Sequence, residues 1–147
     1  MIYYLCYIST ANIDFNDHML QELLIKSRKN NHDLNITGVL LHHESSFIQY
    51  LEGDKHKVKA LFESIKKDLR HHSVYKIASG TSRERKFINW SMGFQYLTRE
   101  NILDITGYKS FDSKTLEQEF PLGDKHPGIV LLRSFMKSTL NNFNTTL

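Results

Sequence analysis

Short alternating runs of apolar residues dominate the first two thirds of the chain, and two longer segments with a 3.6-residue apolar repeat interrupt them. The opening run IYYLCYIS (Ile2–Ser9) is dense in β-forming residues and predicts a first strand. After the polar TANIDFND, His18–Asn31 predicts a helix with Met19, Leu20, Leu23, Leu24 and Ser27 on one stripe and Asn16 or Asp17 as its cap. Asn30 and Asn31 suit the end of that helix, because asparagine tolerates the left-handed conformation. ITGVLLHH (Ile36–His43) and FIQYLE (Phe47–Glu52) predict two strands joined by a short polar hairpin connection. Gly53 breaks the third strand and Asp54 caps a second helix, whose Val58, Leu61, Phe62, Ile65 and Leu69 repeat at i, i+3, i+4, i+7 and i+11. His71 and His72 fall at its end, where imidazolium would complement the helix dipole. VYKIASG (Val74–Gly80) and KFINWSMGFQYL (Lys86–Leu97) predict a fourth and a fifth strand.

The element order βαββαββ is the ferredoxin-like split βαβ arrangement plus one strand, an α+β fold with a five-stranded mixed sheet. Right-handed crossovers put both helices on one face and set the first and third strands side by side and parallel. Past residue 97 the pattern changes, so residues 1–97 are expected to form the domain and 98–147 a helical extension. That extension predicts a short helix in TRENILDITGY (Thr98–Tyr108), a poorly patterned stretch holding both prolines, and an amphipathic helix over Ile129–Phe143. The extension is expected to pack on the sheet's other face.

One polar residue sits where the pattern asks for an apolar one. In the third strand Phe47, Gln49 and Leu51 share a face, as Tyr3, Leu5, Tyr7 and Ser9 do in the first. If both are the helix side, the Tyr7 phenol and the Gln49 amide meet inside the fold. Each unmet donor or acceptor of a buried amide costs about 1–3 kcal/mol. Taken alone, the pair favours a plain reading, with Tyr7 on a backbone carbonyl and Gln49 in water at a strand end.

Composition narrows the function classes. A chain of 147 residues, 40% hydrophobic and 24% charged, has room for one core. A net charge of +3 is too small to imply nucleic acid without a concentrated patch. The single cysteine, Cys6, leaves no intrachain disulfide and no Cys-rich metal site. No apolar run approaches the roughly 18 residues of a membrane span, and the first residues carry no basic leader, so a cytoplasmic protein is expected. Of the eight histidines, His42 and His43 point to opposite strand faces and cannot chelate together, so no metal is expected. Phosphate-cradling loops and nucleophile elbows are absent. A small acylphosphatase-like hydrolase would need an anion-binding arginine after the first strand, and STANIDFND supplies none.

Five segments in order resemble one family, the BLUF domain (blue-light sensor using FAD), from Ile2 to about Tyr96. They are LCYIS, RKNNHDLNITGVLL, SFIQYLEG, DLRHHSVY and FINWSMGF. The resemblance implies a non-covalent flavin between the two helices and over the central strands, FAD with FMN possible. It implies Tyr7 as the photoactive tyrosine and Gln49 as the amide bridging its hydroxyl to the flavin's N5/O4 edge. Asn31 would bond the ring's imide edge, and Leu24, Phe47 and Ile65 would supply apolar walls. Asp68, Arg70 and His71 would lie near the cofactor, with Lys67 near its phosphates, where Ser64 replaces an arginine of some members. Light would drive an electron and a proton from Tyr7, Gln49 would rearrange, and Ser9, Trp90 and Met92 would relay the change. No substrate would be turned over. The output would pass to an unidentified protein partner or through a homo-oligomer, without membrane or direct nucleic-acid binding. A flavin- or ligand-binding regulator without photochemistry remains the alternative.

Overall fold

The strand and helix limits follow from side chains that satisfy exposed backbone groups. A computed structural model describes residues 1–88, 93–96 and 123–145. Asn16, in extended backbone, caps helix α1 (Asp17–Asp33) by accepting the Met19 N–H at 2.9 Å. Asp54 caps α2 (Lys55–Lys66) by accepting the Lys57 N–H at 3.1 Å. α1 runs through both Asn30 and Asn31 to a cap at Leu34, and Asn35 takes the left-handed turn with φ 53°. The asparagine that exploits left-handed freedom is therefore Asn35, not the expected pair. α2 stops at Lys66, so Leu69 leaves the apolar stripe and is exposed.

The strands are β1 (Ile2–Ala11), β2 (Thr37–His43), β3 (Ser46–Gly53), β4 (His71–Ser82) and the short β5 (Gly93–Tyr96). They lie in the order β4-β1-β3-β2-β5. β1 and β3 are neighbours at the centre, but antiparallel rather than parallel. α1 returns the chain so that β2 repeats the direction of β1, and the tight hairpin reverses β3, which inserts between them. β2 and β4 likewise run antiparallel to β3 and β1, so the four long strands form an antiparallel body. His71 and His72 open β4 opposite Ala11 and Thr10 instead of ending a helix, because ladder pairing with β1 claims their backbone. The β1–β4 register shifts on the C-terminal side of Cys6 and again after Ile8, flanking Tyr7 with irregular pairing.

Both helices pack on one face. Leu24 of α1 and Val58 and Phe62 of α2 join Leu5, Leu40 and Leu51 of the sheet in one core. Each such buried side chain contributes about 1.5–3 kcal/mol. Gly38 allows the closest strand approach: a Cβ there would lie 1.9 Å from the Tyr50 carbonyl oxygen. On the reverse face Cys6, Ile48 and Tyr50 are buried, with the Phe87 ring edge-on to Tyr50 at 5.2 Å. Burial pushes the Cys6 thiol up to about 12.

The chain divides into two compact units, Met1–Gln95 and Tyr96–Leu147. In the second, α3 (Pro127–Thr145) begins at a proline, whose fixed φ suits a first turn, and buries Ile129, Leu132 and Met136 along one stripe. The predicted helix Thr98–Tyr108 lies outside the described residues, as do Trp90 and Met92. No helix among the described residues is long and apolar enough to cross a membrane.

Candidate functional site

Antiparallel register sets Tyr7 of β1 directly opposite Gln49 of β3 on the helix-covered face. Both are buried, and the Tyr7 hydroxyl donates to Gln49 Oε1. Burial is the main cause that pushes the Tyr7 phenol far above its ordinary range, so it stands as a neutral donor. Its ring tilts against Phe62 at 5.4 Å and meets the His71 edge at 6.4 Å.

A partly open cleft lies in front of this pair. Phe15, Leu23, Leu40, Phe47, Leu61 and Ile65 form its apolar walls. Phe47 is held by edge contact with Phe15 at 5.6 Å and by stacking on His42 at 4.2 Å. Asn31, 2% exposed on the inward side of α1, adds a second neutral amide to the lining. Its backbone carbonyl accepts the Ile36 N–H at 2.8 Å, which fastens the helix end to the start of β2.

Charged groups stand at the mouth. Arg70 donates through Nε to both Asp68 carboxylate oxygens, at 3.0 and 3.1 Å, and its own N–H bonds Oδ1 at 2.9 Å. These bonds from Arg70 hold the Asp68 carboxyl below the usual carboxylate range. His71 joins two elements: its Nε2–H donates to the Ile65 carbonyl at 2.6 Å, which leaves Nδ1 to accept the Ser9 hydroxyl at 2.9 Å. A wider crevice continues outward between α1 and α2, lined by Lys26, His56, Lys57 and Ser64 as well as the Asp68–Arg70 pair.

Of the residues expected at the site, Tyr7, Ser9, Asn31, Phe47, Gln49, Ile65, Asp68, Arg70 and His71 line the one cleft. Leu24 does not; it sits in the core, and Leu23, one residue away around α1, faces the cleft instead. Lys67 caps α2 on the outside, exposed and away from the cleft. Sequence reasoning did not place Phe15, Ser27, Leu40 or Leu61 at the site and favoured Asn30 as a helix cap, yet all five line the cleft. Leu40 was detectable, since hairpin register sets it opposite Gln49; Phe15 sits in an unpatterned loop that carries no such signal.

The lining suits a flat heteroaromatic ring. Apolar side chains from both helices and the sheet sandwich its faces, and two amides, which both donate and accept, match an edge of alternating N–H and C=O groups. Among the described residues no cluster of His, Cys, Asp or Glu could hold a metal. Fold and site together define an α+β domain with a cleft suited to a flat, polar-edged ligand. The family model described as sensors of blue-light using FAD matches residues 2–93, and the chain belongs to this BLUF family of blue-light flavin photoreceptors.

The Escherichia coli K12 protein named blue light- and temperature-regulated antirepressor BluF is 29% identical over 87 residues, 59% of this chain and 22% of its own length. The photoactivated adenylate cyclase subunit beta of Euglena longa is 32% identical over 89 residues, 60% of this chain and 10% of its own. This chain thus spans a small part of these curated relatives. Among solved structures, the BlsA ground state is 30% identical with a TM-score of 0.64, covering 95% of this chain and 88% of that one. Klebsiella pneumoniae BlrP1 with FMN and cyclic diGMP is 27% identical with a TM-score of 0.73, covering 93% of this chain and 35% of that one.

Proposed function

We propose that this chain senses blue light through Tyr7 and Gln49, with the buried hydrogen bond between them as the observation that carries the reading. When bound, a flavin supplies blue absorption and, once excited, an oxidant strong enough to take an electron from a phenol. Tyr7 is then the donor: its phenol loses an electron, and its proton leaves along the hydrogen bond to Gln49 Oε1. Return of both to Tyr7 restores the phenol, so nothing is consumed. What persists is a Gln49 amide turned so that its donor and acceptor ends have exchanged places. Asn31 orients the ring's polar edge, and Phe47, Leu23 and Ile65 exclude water so that these bonds act at low dielectric.

FAD is the favoured flavin. The outer crevice extends the slot past Asp68 and Arg70 toward Lys26 and Lys57, which supports room for a pyrophosphate and a second ring system. The chain acts as a photosensor without turnover, in the cytoplasm, and its output passes to a protein partner or a second copy of itself. Residues 98–147 serve as the helical extension of the sensor, and Trp90 and Met92 relay the change.

Absorption of the purified, flavin-loaded chain tests this: blue light is expected to shift the flavin bands slightly to the red, with full recovery in darkness. Bands that bleach, or that do not move, would reject the Tyr7–Gln49 switch and leave only a flavin-binding regulator.

A further inference from the structure

The reverse face of β3 carries a group that ring binding does not use. Glu52 is completely buried, three residues beyond Gln49 and on the opposite side of the same strand. Four donors converge on it. Oε1 accepts the Lys86 N–H at 2.8 Å and the Tyr50 hydroxyl at 3.2 Å; Oε2 accepts the Phe87 N–H at 2.7 Å and the Thr37 hydroxyl at 3.0 Å. Donors alone on all sides are what a carboxylate requires. Arg85 reinforces the junction, donating to the Thr37 hydroxyl at 2.9 Å, the Glu52 carbonyl at 3.2 Å and the Asn35 carbonyl at 2.7 Å. Residues 83–88, the segment that leaves β4 toward β5, are thereby tied to β2 and β3 at one side chain.

We infer that Glu52 is a positioning residue of the light response, coupling β3 to segment 83–88; this rests on the photoreceptor reading above. Gln49 holds β3 to β1 through Tyr7, and exchanging its donor and acceptor ends changes that hold. Glu52 takes its donors from β2, from β3 and from the segment, so a displacement of β3 against β2 is felt first at the Lys86 and Phe87 amides. A glutamine cannot take over this role: it offers one acceptor oxygen, and its NH2 would face a donor. Glu52 touches no group that lines the cleft's polar end, so its loss leaves the photochemistry in place.

The test is amide hydrogen exchange of the full, flavin-loaded chain in darkness and under steady blue light, for wild type and Glu52→Gln, with absorption recorded in parallel. In wild type, the Lys86 and Phe87 amides are expected to change exchange rate on illumination. In Glu52→Gln they should exchange about tenfold faster in darkness, as loss of a charge-assisted bond implies, and show no further change with light, while the red shift is unaltered. Faster exchange with the light effect intact would mean a merely structural clamp and overturn the inference. Should Glu52→Gln not hold flavin, Arg85→Ala, which keeps the carboxylate, is expected to reduce the light–dark difference at Lys86 and Phe87; an undiminished difference overturns the inference. A wild-type chain that red-shifts but leaves both amides unchanged also overturns it. A wild-type chain with no red shift removes the photoreceptor reading instead.

Discussion

The inner end of the cleft and its mouth solve opposite problems with the same backbone frame. At the inner end Tyr7, Asn31 and Gln49 are neutral, buried and contributed by three different elements. At the mouth Asp68 and Arg70 are charged, partly exposed and two residues apart. Neutral groups in a dry site hold direction, because each bond there is costly to break and its partner cannot turn to water. Charged groups in a wet site hold position only loosely, since solvent screens them. On the photoreceptor reading proposed above, the contrast puts specificity for the ring in the amides, with the ion pair as a rim.

Four substitutions sharpen or break this contrast. Tyr7→Phe keeps the ring and its packing but removes the hydroxyl, so the chain should retain flavin and lose the red-shifted state completely; a difference spectrum that still shows the shift would move the electron donor elsewhere. Asn31→Ala deletes a buried amide and should weaken flavin binding by about tenfold or more, measured by flavin fluorescence titration. Asp68→Asn should cost under about 1 kcal/mol of stability by urea unfolding at neutral pH, because the pair is partly exposed. The Asp68 carboxyl is held below its ordinary range by Arg70. Its contribution is therefore fully present above the unfolded value near pH 4 and disappears as pH falls through the lower folded value. The wild type and Asp68→Asn stability curves should then converge in acid. Lys67→Ala lies outside the cleft, and its effect on flavin affinity should stay within about twofold; a larger loss would put phosphate contacts where the geometry has none.

Much of this was legible because strand alternation is a strict two-residue code. Parity put Tyr7 and Gln49 each among the apolar residues of its own strand, and the register sets them opposite each other on one face. Parity carries no information about strand direction, which is why β1 and β3 could be expected parallel when the hairpin makes them antiparallel. Helical periodicity is less strict. A stripe containing both Leu23 and Leu24 leaves open which flank meets the ligand and which the core, and helix tilt decides it. The same repeat ran on to Leu69 past the true helix end, because periodicity does not register that Lys67 already caps the helix. Glu52 was read only as the last residue of a strand. Its four donors come from residues up to 35 positions away, and no local pattern announces such a convergence.

The solitary thiol of Cys6 offers a clock for the sheet. It lies on β1 opposite Tyr50, without exposure on the reverse face and with its proton tightly held, so a thiol reagent can reach it only when the side chains covering that face move aside. Each molecule then records one opening as one irreversible label. Labelling in darkness and under blue light would therefore count how often the face behind Tyr7 is uncovered in each state, without any added probe.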